Sequence, residues 1–274
     1  MDINLGIVGL VRFSVLTPTY FSERFATLEA AAAHLFSPER MELRFRVFER
    51  LCLPSLLRQS DQGFQLIVLT AEDLPLVYLE RLAALLEPVQ NITLIPVGAG
   101  AHYNMIKRGY NAVPTDDVTH RVLFRLDDDD AIDLDYVARS RRLAMGLIPL
   151  QGEDTPFILA NNRGFYLRKT YGPHGLQDEI FDACEKAPLS VGVALVAPVS
   201  YGANPYRYNH RRYAQHWNTV SDISTPGFLR TIHGDNMSQP TQMGITHKMM
   251  DADIASALKQ HFGITPDQLR AVLP

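Results

Sequence analysis

The stretch "VLFRLDDDDAIDLDY", residues 122–136, joins a short apolar run to four consecutive aspartates. The run from Val122 to Leu126 has the length and residue types of a buried strand. Adjacent carboxylates repel each other, so Asp127 to Asp130 gain no stability from standing together at a strand end. Two interpretations are open: the aspartates form a solvated turn that caps the next helix, or they bind a ligand.

The residues before this stretch alternate between apolar runs and helical patterns, which predict buried strands and amphipathic helices. The predicted strands are residues 3–13, 64–70, 92–97 and 121–126, and the predicted helices are residues 45–60, 75–88 and 102–113. Pro54 is expected to kink or divide the first of these helices. This alternation predicts an α/β fold, with a mostly parallel sheet covered by helices on both faces. Ligands of such sheets bind outside the carboxyl ends of the strands, where the aspartates stand.

The sequence after the aspartate stretch is less regular. It predicts helices at residues 138–148 and 251–263, a hairpin over 156–169 that turns near Asn161, Asn162 and Gly164, and a strand at 189–198. Residues 199–247 are rich in Tyr, Asn, His, Arg and Pro, which is typical of loops over a site.

Composition describes an ordinary globular chain of 274 residues, with 46% hydrophobic residues and a net charge of −4. This charge does not favour nucleic acid as a main partner. The sequence has no unbroken apolar run long enough for a transmembrane helix and no convincing signal peptide. Cys52 and Cys184 are expected to be buried thiols in a reducing cytoplasm. Peripheral association with the inner face of the membrane stays open.

Four segments, taken in order, resemble a bacterial family described as putative rhamnosyltransferases. They are "GLVRFS" at 9–14, "LPSLLRQSDQGFQLIVLTAEDLP" at 53–75, "FRLDDDDAI" at 124–132 and "TIHGDNMS" at 231–238. The strand that ends in Asp-X-Asp is similar to the DXD motif of GT-A glycosyltransferases. The resemblance covers nearly the whole chain. It implies a single GT-A-like domain, with a Rossmann-like nucleotide-sugar-binding half at 1–135 and an acceptor-binding half at 136–274.

The activity that this resemblance implies is metal-dependent transfer of a sugar, with rhamnose as the family's label, from a nucleotide-diphosphate sugar to a glycan or other hydroxyl acceptor. Such a reaction would serve polysaccharide biosynthesis. Two other classes stay open: a metal-dependent nucleotidyltransferase or phosphohydrolase, and a non-catalytic nucleotide-sugar-binding module. The absence of a Gly-rich pyrophosphorylase loop and of a Walker lysine loop disfavours the first alternative.

The predicted cation is Mn²⁺ or Mg²⁺, because carboxylates after a buried strand are hard oxygen ligands. The predicted ligands are Asp128, Asp129, Asp130 and His233, with Asp128 and Asp130 as the favoured pair. Asp235 and Asn236 lie beside His233 and could complete the site. The alternative is that this Gly-Asp-Asn segment is simply a turn.

The predicted donor-binding residues follow the first strands or carry positive charge. They are Arg12, Ser14, Thr70, Lys107, Arg108 and Asp127, with Arg44 and Arg230 as further candidates. Asp127 is expected to face the ribose or the sugar. Each cation has an alternative role: a surface salt bridge for Arg12, and a solvated helix face for Lys107 and Arg108.

The predicted catalytic base is Asp178 or Glu179, because an inverting transferase needs a carboxylate that accepts the acceptor's proton. The alternative is that both residues lie in the first turn of a helix, where they favour its dipole. Asp154 and Asp222 are further candidates, and a retaining enzyme would need no such base. The aromatic residues at 201–217 could stack on an acceptor sugar or pack as core.

Overall fold

The computed structural model describes residues 2–18, 24–172, 175–234 and 243–274. The first half contains β1 (Leu5–Phe13), α1 (Leu28–Leu35), α2 (Pro38–Val47), α3 (Leu53–Leu57), β2 (Gln65–Ala71), α4 (Leu76–Leu86), β3 (Ile92–Val97), α5 (His102–Asn111), β4 (His120–Asp127) and β5 (Asp130–Ile132). The second half contains α6 (Tyr136–Gln151), β6 (Phe157–Asn161), β7 (Arg163–Gly172), β8 (Gly175–Cys184), β9 (Ala194–Pro198), β10 (Asn218–Asp222), β11 (Phe228–Ile232), β12 (Ile245–Thr246), α7 (Asp251–Phe262) and α8 (Pro266–Arg270).

A seven-stranded sheet has the order β10-β6-β9-β4-β1-β2-β3. Strands β1 to β4 are parallel to one another, and β9 is antiparallel to both β4 and β6. In this register Arg12 lies beside Asp127, and Phe13 lies beside Thr70. The parallel strands therefore bring Arg12, Thr70 and the start of the aspartate run to one edge of the sheet.

Helices cover both faces of this sheet, because the continuous apolar strands offer side chains to each side. Helices α1 to α4 and α6 pack on the face that contains Ile7 and Val11. Helix α5 packs on the face that contains Val8 and Leu10. A Cβ atom at Gly109 would lie only 2.8 Å from Leu10 Cδ1, so glycine lets α5 lie close to the sheet. The predicted α/β fold, with a mostly parallel sheet covered by helices on both faces, is confirmed.

A second sheet has the order β12-β8-β7-β11-β5. Its edge strand β5 is antiparallel to β11, and Asp130 lies opposite Arg230. Asp127 is the last residue of β4 and Asp130 is the first residue of β5. The four aspartates therefore form the crossing from the large sheet to the small one.

The predicted hairpin over 156–169 is wrong, because β6 belongs to the large sheet and β7 to the small one. The hairpin in this region is formed by β7 and β8. The asparagines between β6 and β7 tie the crossing to other segments instead of closing a turn. Asn161 Oδ1 accepts a hydrogen bond from Arg139 Nη2 at 3.1 Å, and Asn162 N donates to Asp222 O at 3.3 Å.

The predicted break at Pro54 takes a different form. A π-helical turn at Phe48–Cys52 joins α2 to α3, and Pro54 lies in the first turn of α3, where a missing N–H is tolerated. Among the described helices, none is both long and apolar enough to cross a membrane.

Candidate functional site

Asp128 is held by a buried arginine. Arg44 on α2 donates from Nε to Asp128 Oδ2 at 3.0 Å, and its Nη2 donates to Asp128 Oδ1. Its third nitrogen, Nη1, donates to Asp129 Oδ2 at 2.8 Å. Arg40 lies one turn earlier on the same buried face of α2 and donates to Ser14 Oγ at 3.0 Å. Helix α2 thus supplies two cations to the carboxyl ends of β1 and β4.

Asp129 connects the aspartate run to the distant "IHG" segment. His233 Nε2, which follows β11, lies 3.3 Å from Asp129 Oδ2. Thr231 Oγ1 donates to the Asp129 carbonyl at 2.8 Å, which fixes the backbone beneath the carboxylate. Burial alone would raise the pKa of Asp129, but Arg44 and His233 lower it below the usual range. Asp129 is therefore an ionised carboxylate that also faces an imidazole.

Asp130 has different chemistry. Its side chain is buried, and its Oδ1 has no hydrogen-bond partner among the described residues. Burial and the neighbouring Asp129 raise its pKa well above the usual range. The ligand pair favoured from the sequence was Asp128 and Asp130. In the structure Arg44 encloses the carboxylate of Asp128, and ionisation of Asp130 is disfavoured.

Arg12, Asp127 and His102 form a second part of the cluster, at the ends of β1 and β4 and the start of α5. Arg12 Nη2 donates to Asp127 Oδ1, and Arg12 Nη1 lies 3.1 Å from His102 Nε2. Burial alone would raise the pKa of Asp127, but Arg12 and Arg125 lower it to about 2. Sequence reasoning missed His102, although it is the first residue of the helix after β3 and so belongs to the ligand-binding edge.

The other predicted donor-binding residues have three kinds of position. Ser14 lies just after β1, with a positive φ of 52°, and contacts Arg40. Thr70 is fully buried at the end of β2, and its Oγ1 has no partner among the described residues. Lys107 and Arg108 are exposed on α5, where they line a surface hollow with Asn104, Asn111 and Ala112. The structure does not bring this basic pair to the aspartates.

The predicted base residues lie on the β7–β8 hairpin, not in a helix. Glu179 pairs with Arg168 at 2.5 Å, and Asp178 lies 3.6 Å from Lys169 Nζ. Strand β8 is three strands from β5, which places these residues roughly 14 Å across the sheet from Asp130. The structure therefore does not bring the predicted base to the aspartate cluster.

The further candidates for the base lie elsewhere: Asp222 pairs with Arg139 at 3.3 Å, and Asp154 is exposed in the turn after α6. Asp235 and Asn236 lie outside the described residues. In the aromatic segment, Tyr213 and Trp217 are buried core residues, whereas His216 is exposed and stacks on Tyr208.

Asp129 and His233 are the two residues of the cluster that could together hold a divalent cation, since Nε2 of His233 lies 3.3 Å from Oδ2 of Asp129. The same Oδ2 atom also accepts a hydrogen bond from Arg44 Nη1 at 2.8 Å. No group of three or more His, Cys, Asp or Glu residues in the described part of the chain is arranged to hold a metal. Mg²⁺-type ions commonly take only one or two carboxylates and complete their shell with water and substrate phosphates.

The strand ends of the large sheet thus gather aspartates, arginines and a histidine at the edge where ligands of α/β sheets bind. The family model described as "Putative rhamnosyl transferase" matches residues 6–245. The chain belongs to this glycosyltransferase family. No curated protein matches the sequence.

Some solved structures are similar to this chain at low sequence identity. A structure of S. aureus TarS residues 1–349 with UDP-GlcNAc is 11% identical, with 93% of this chain and 65% of that chain covered, at a TM-score of 0.43. A structure described as a "Putative Glucose-1-Phosphate Thymidylyltransferase" from Bacillus anthracis, in complex with a sucrose, is 10% identical, with 81% and 89% covered, at a TM-score of 0.38. This chain thus spans less than two thirds of the TarS structure.

Proposed function

We propose that the protein transfers a sugar from a nucleotide-diphosphate sugar to a hydroxyl acceptor, with a divalent cation at Asp129 and His233. The observation that carries this proposal is the meeting of the β4–β5 aspartate crossing with His233 at the carboxyl edge of the parallel sheet. Family membership supports sugar transfer, and the description of the family points to rhamnose as the donor sugar. A glycan is the acceptor class that fits a role in polysaccharide biosynthesis.

The charges at the site suit a diphosphate leaving group. Breaking the glycosidic bond leaves negative charge on the diphosphate, and a bound cation would act as a Lewis acid that stabilises it. Mn²⁺ or Mg²⁺ suits a carboxylate, an imidazole and phosphate oxygens. The protein's own part is to keep Asp129 ionised and to aim it at that position.

Arg44 performs this positioning. It encloses Asp128 with two hydrogen bonds and contacts only one oxygen of Asp129. Asp128 is therefore the counter-ion that anchors Arg44, whereas Asp129 takes one hydrogen bond from Arg44 and also lies beside His233, which makes it the proposed cation ligand. We therefore propose Asp129 as the cation ligand, in place of the pair Asp128 and Asp130 that the sequence favoured.

The nucleotide side of the donor is proposed to meet Arg12, Ser14, Thr70 and Asp127. The buried Thr70 hydroxyl without a described partner supports this assignment, because a buried polar atom of this kind costs stability unless a ligand or water bonds to it. Asp127, which Arg12 holds at the end of β4, would accept hydrogen bonds from sugar or ribose hydroxyls.

A panel of dTDP-, UDP- and GDP-sugars tests the proposal. Each sugar is titrated into the protein by calorimetry with and without Mn²⁺, and slow hydrolysis is then followed for those that bind. We expect Mn²⁺-dependent binding of at least one donor in the wild type, and loss of that dependence in Asp129→Asn and His233→Ala. Asp154→Asn, which changes an exposed carboxylate, is the matched control. Absence of nucleotide-sugar binding across the panel would exclude the proposed function.

A further inference from the structure

The ring of Tyr206 lies against two guanidinium groups. Arg125 Cζ is 3.9 Å from the ring centroid and Arg12 Cζ is 5.2 Å from it, while His102 meets the ring edge-on at 5.7 Å. Cation–π contacts of this kind hold a ring and a cation together where water is largely excluded. Tyr206 comes from the second half of the chain, and Arg12 and Arg125 come from β1 and β4.

The local backbone fixes the position of Tyr206. Asn204 is buried, and its Oδ1 accepts a hydrogen bond from Tyr206 N at 2.9 Å. The hydroxyl group of buried Tyr213 donates to the carbonyl of Pro205. The turn that contains Tyr206 is therefore held by the side chains of Asn204 and Tyr213. These contacts preorganise the ring over the guanidinium groups.

Two hydrogen-bonding atoms of this arrangement are buried without a partner in the described residues. They are the hydroxyl oxygen of Tyr206 and Nε of Arg125. Arg125 also forms no ion pair with any described carboxylate, and Asp127 acts on it only as a more distant charge. A buried guanidinium without a paired anion is costly, so this local arrangement is complete only when an anion is present.

The nearby histidines, His102 and His210, supply neither a negative nor a positive charge beside Arg125. Burial, with Arg12 and Arg125, lowers the pKa of His102 to about 3. Burial and Arg125 lower the pKa of His210 to about 4, and the backbone carbonyl of Pro188 lies 2.6 Å from its Nδ1. Both imidazoles are therefore neutral near pH 7 and add no positive charge beside Arg125.

We infer that Arg125 and Tyr206 form an oxyanion-binding site on the α5 side of β4, separate from the Asp129–His233 edge. The guanidinium and the phenol both donate hydrogen bonds, so the ligand is an acceptor with negative charge: a phosphate group or a carboxylate. Two sources supply this chemistry, a phosphate of the donor or an acidic group on the acceptor. The assignment to donor or acceptor rests on the proposed function, whereas the binding of an oxyanion does not.

The test uses calorimetric titration of the full chain with four probes: inorganic pyrophosphate, UDP, glucuronate and uncharged glucose. Tyr206→Phe removes the hydroxyl group and keeps the ring that contacts the guanidinium groups. We expect it to weaken oxyanion binding roughly ten-fold, as removal of a hydrogen bond to a charged group does. Tyr208→Phe is the matched control, because Tyr208 stacks on the exposed His216 away from Arg125. Arg125→Gln should abolish oxyanion binding, and its thermal melt shows whether it folds.

The probes separate the two sources. Weaker binding of pyrophosphate and UDP in Tyr206→Phe assigns the site to the donor, and weaker binding of glucuronate alone assigns it to an acidic acceptor. Oxyanion binding that is absent in the wild type, or equal in the wild type and Tyr206→Phe, overturns the inference. Pyrophosphate binding at Tyr206 in a protein that binds no nucleotide sugar would leave this site standing and remove the proposed function.

Discussion

His233 Nε2 lies 3.3 Å from Asp129 Oδ2, although Asp129 stands in the crossing between β4 and β5 and His233 follows β11, far along the sequence. The contact depends on the antiparallel pairing of β5 with β11, which sets Asp130 opposite Arg230 and carries His233 back over the aspartate crossing. One strand pairing thus joins the two halves of the candidate site.

Replacement of Arg44 should destabilise the fold. Arg44→Met leaves two buried carboxylates without their cation, and we expect the free energy of unfolding to fall by about 3–5 kcal/mol. Arg46→Met changes an exposed arginine on the same helix and should shift it by less than about 0.5 kcal/mol. Urea unfolding curves measure both changes. Equal stability of the two variants would refute the role of Arg44 as the counter-ion of Asp128.

Acid should destabilise the protein partly through His102. Its pKa is lowered to about 3 in the folded state, whereas the unfolded chain takes up the proton near pH 6.5. The unfolded state therefore binds more protons between these values. The stability tied to a neutral His102 is intact above about pH 6.5 and is lost as the pH falls towards 3, at up to about 1.4 kcal/mol per pH unit.

His102→Asn should therefore show a shallower loss of stability between pH 6.5 and pH 4 than the wild type. Unfolding curves at several pH values measure the slope. His216→Asn is the matched control, because His216 is exposed on the surface. The same slope in His102→Asn and wild type would show that His102 is protonated in the folded protein.

The hairpin carboxylates provide a test of the base assignment. A general base contributes about 100-fold or more to the rate, whereas we expect Asp178→Asn and Glu179→Gln to keep transfer within about three-fold of the wild type. The reason is their ion pairs with Lys169 and Arg168 and their distance from the aspartates. Steady-state rates with the best donor of the panel decide. A loss of about 100-fold in either variant, with its fold intact, would restore the sequence-based assignment.

Much of the fold was predictable from the sequence because the buried parallel strands are continuous apolar runs. Residues 92–97 and β3 coincide, and the other three early strands differ only at their ends. The crossing at Asn161 and Asn162 was misjudged, since asparagine-rich turn chemistry does not distinguish a hairpin from a passage between sheets. The single domain with halves at 1–135 and 136–274 stays a prediction.

The sequence predicts where the candidate site lies, but not which side chains contact each other within it. Four aspartates after a strand indicate where ligands bind, because strand ends of a parallel sheet share an edge. Their partners could not be found in the same way. Arg44 stands in the polar sequence "PERMELRFRV", where a buried arginine and a solvated one look alike. Tyr206 is one of several tyrosines in an irregular segment, and only tertiary contacts show that it meets Arg125.

The central claim is that Asp129, and not Asp128, presents the cation-binding carboxylate. Calorimetric titration of Mn²⁺ in the presence of the bound donor, on wild type, Asp128→Asn and Asp129→Asn, tests it most directly. We expect Asp129→Asn to lose Mn²⁺ binding. Folded Asp128→Asn should be less stable than the wild type but keep its Mn²⁺ affinity within a few-fold. Unchanged Mn²⁺ affinity in Asp129→Asn, or loss confined to Asp128→Asn, would contradict it.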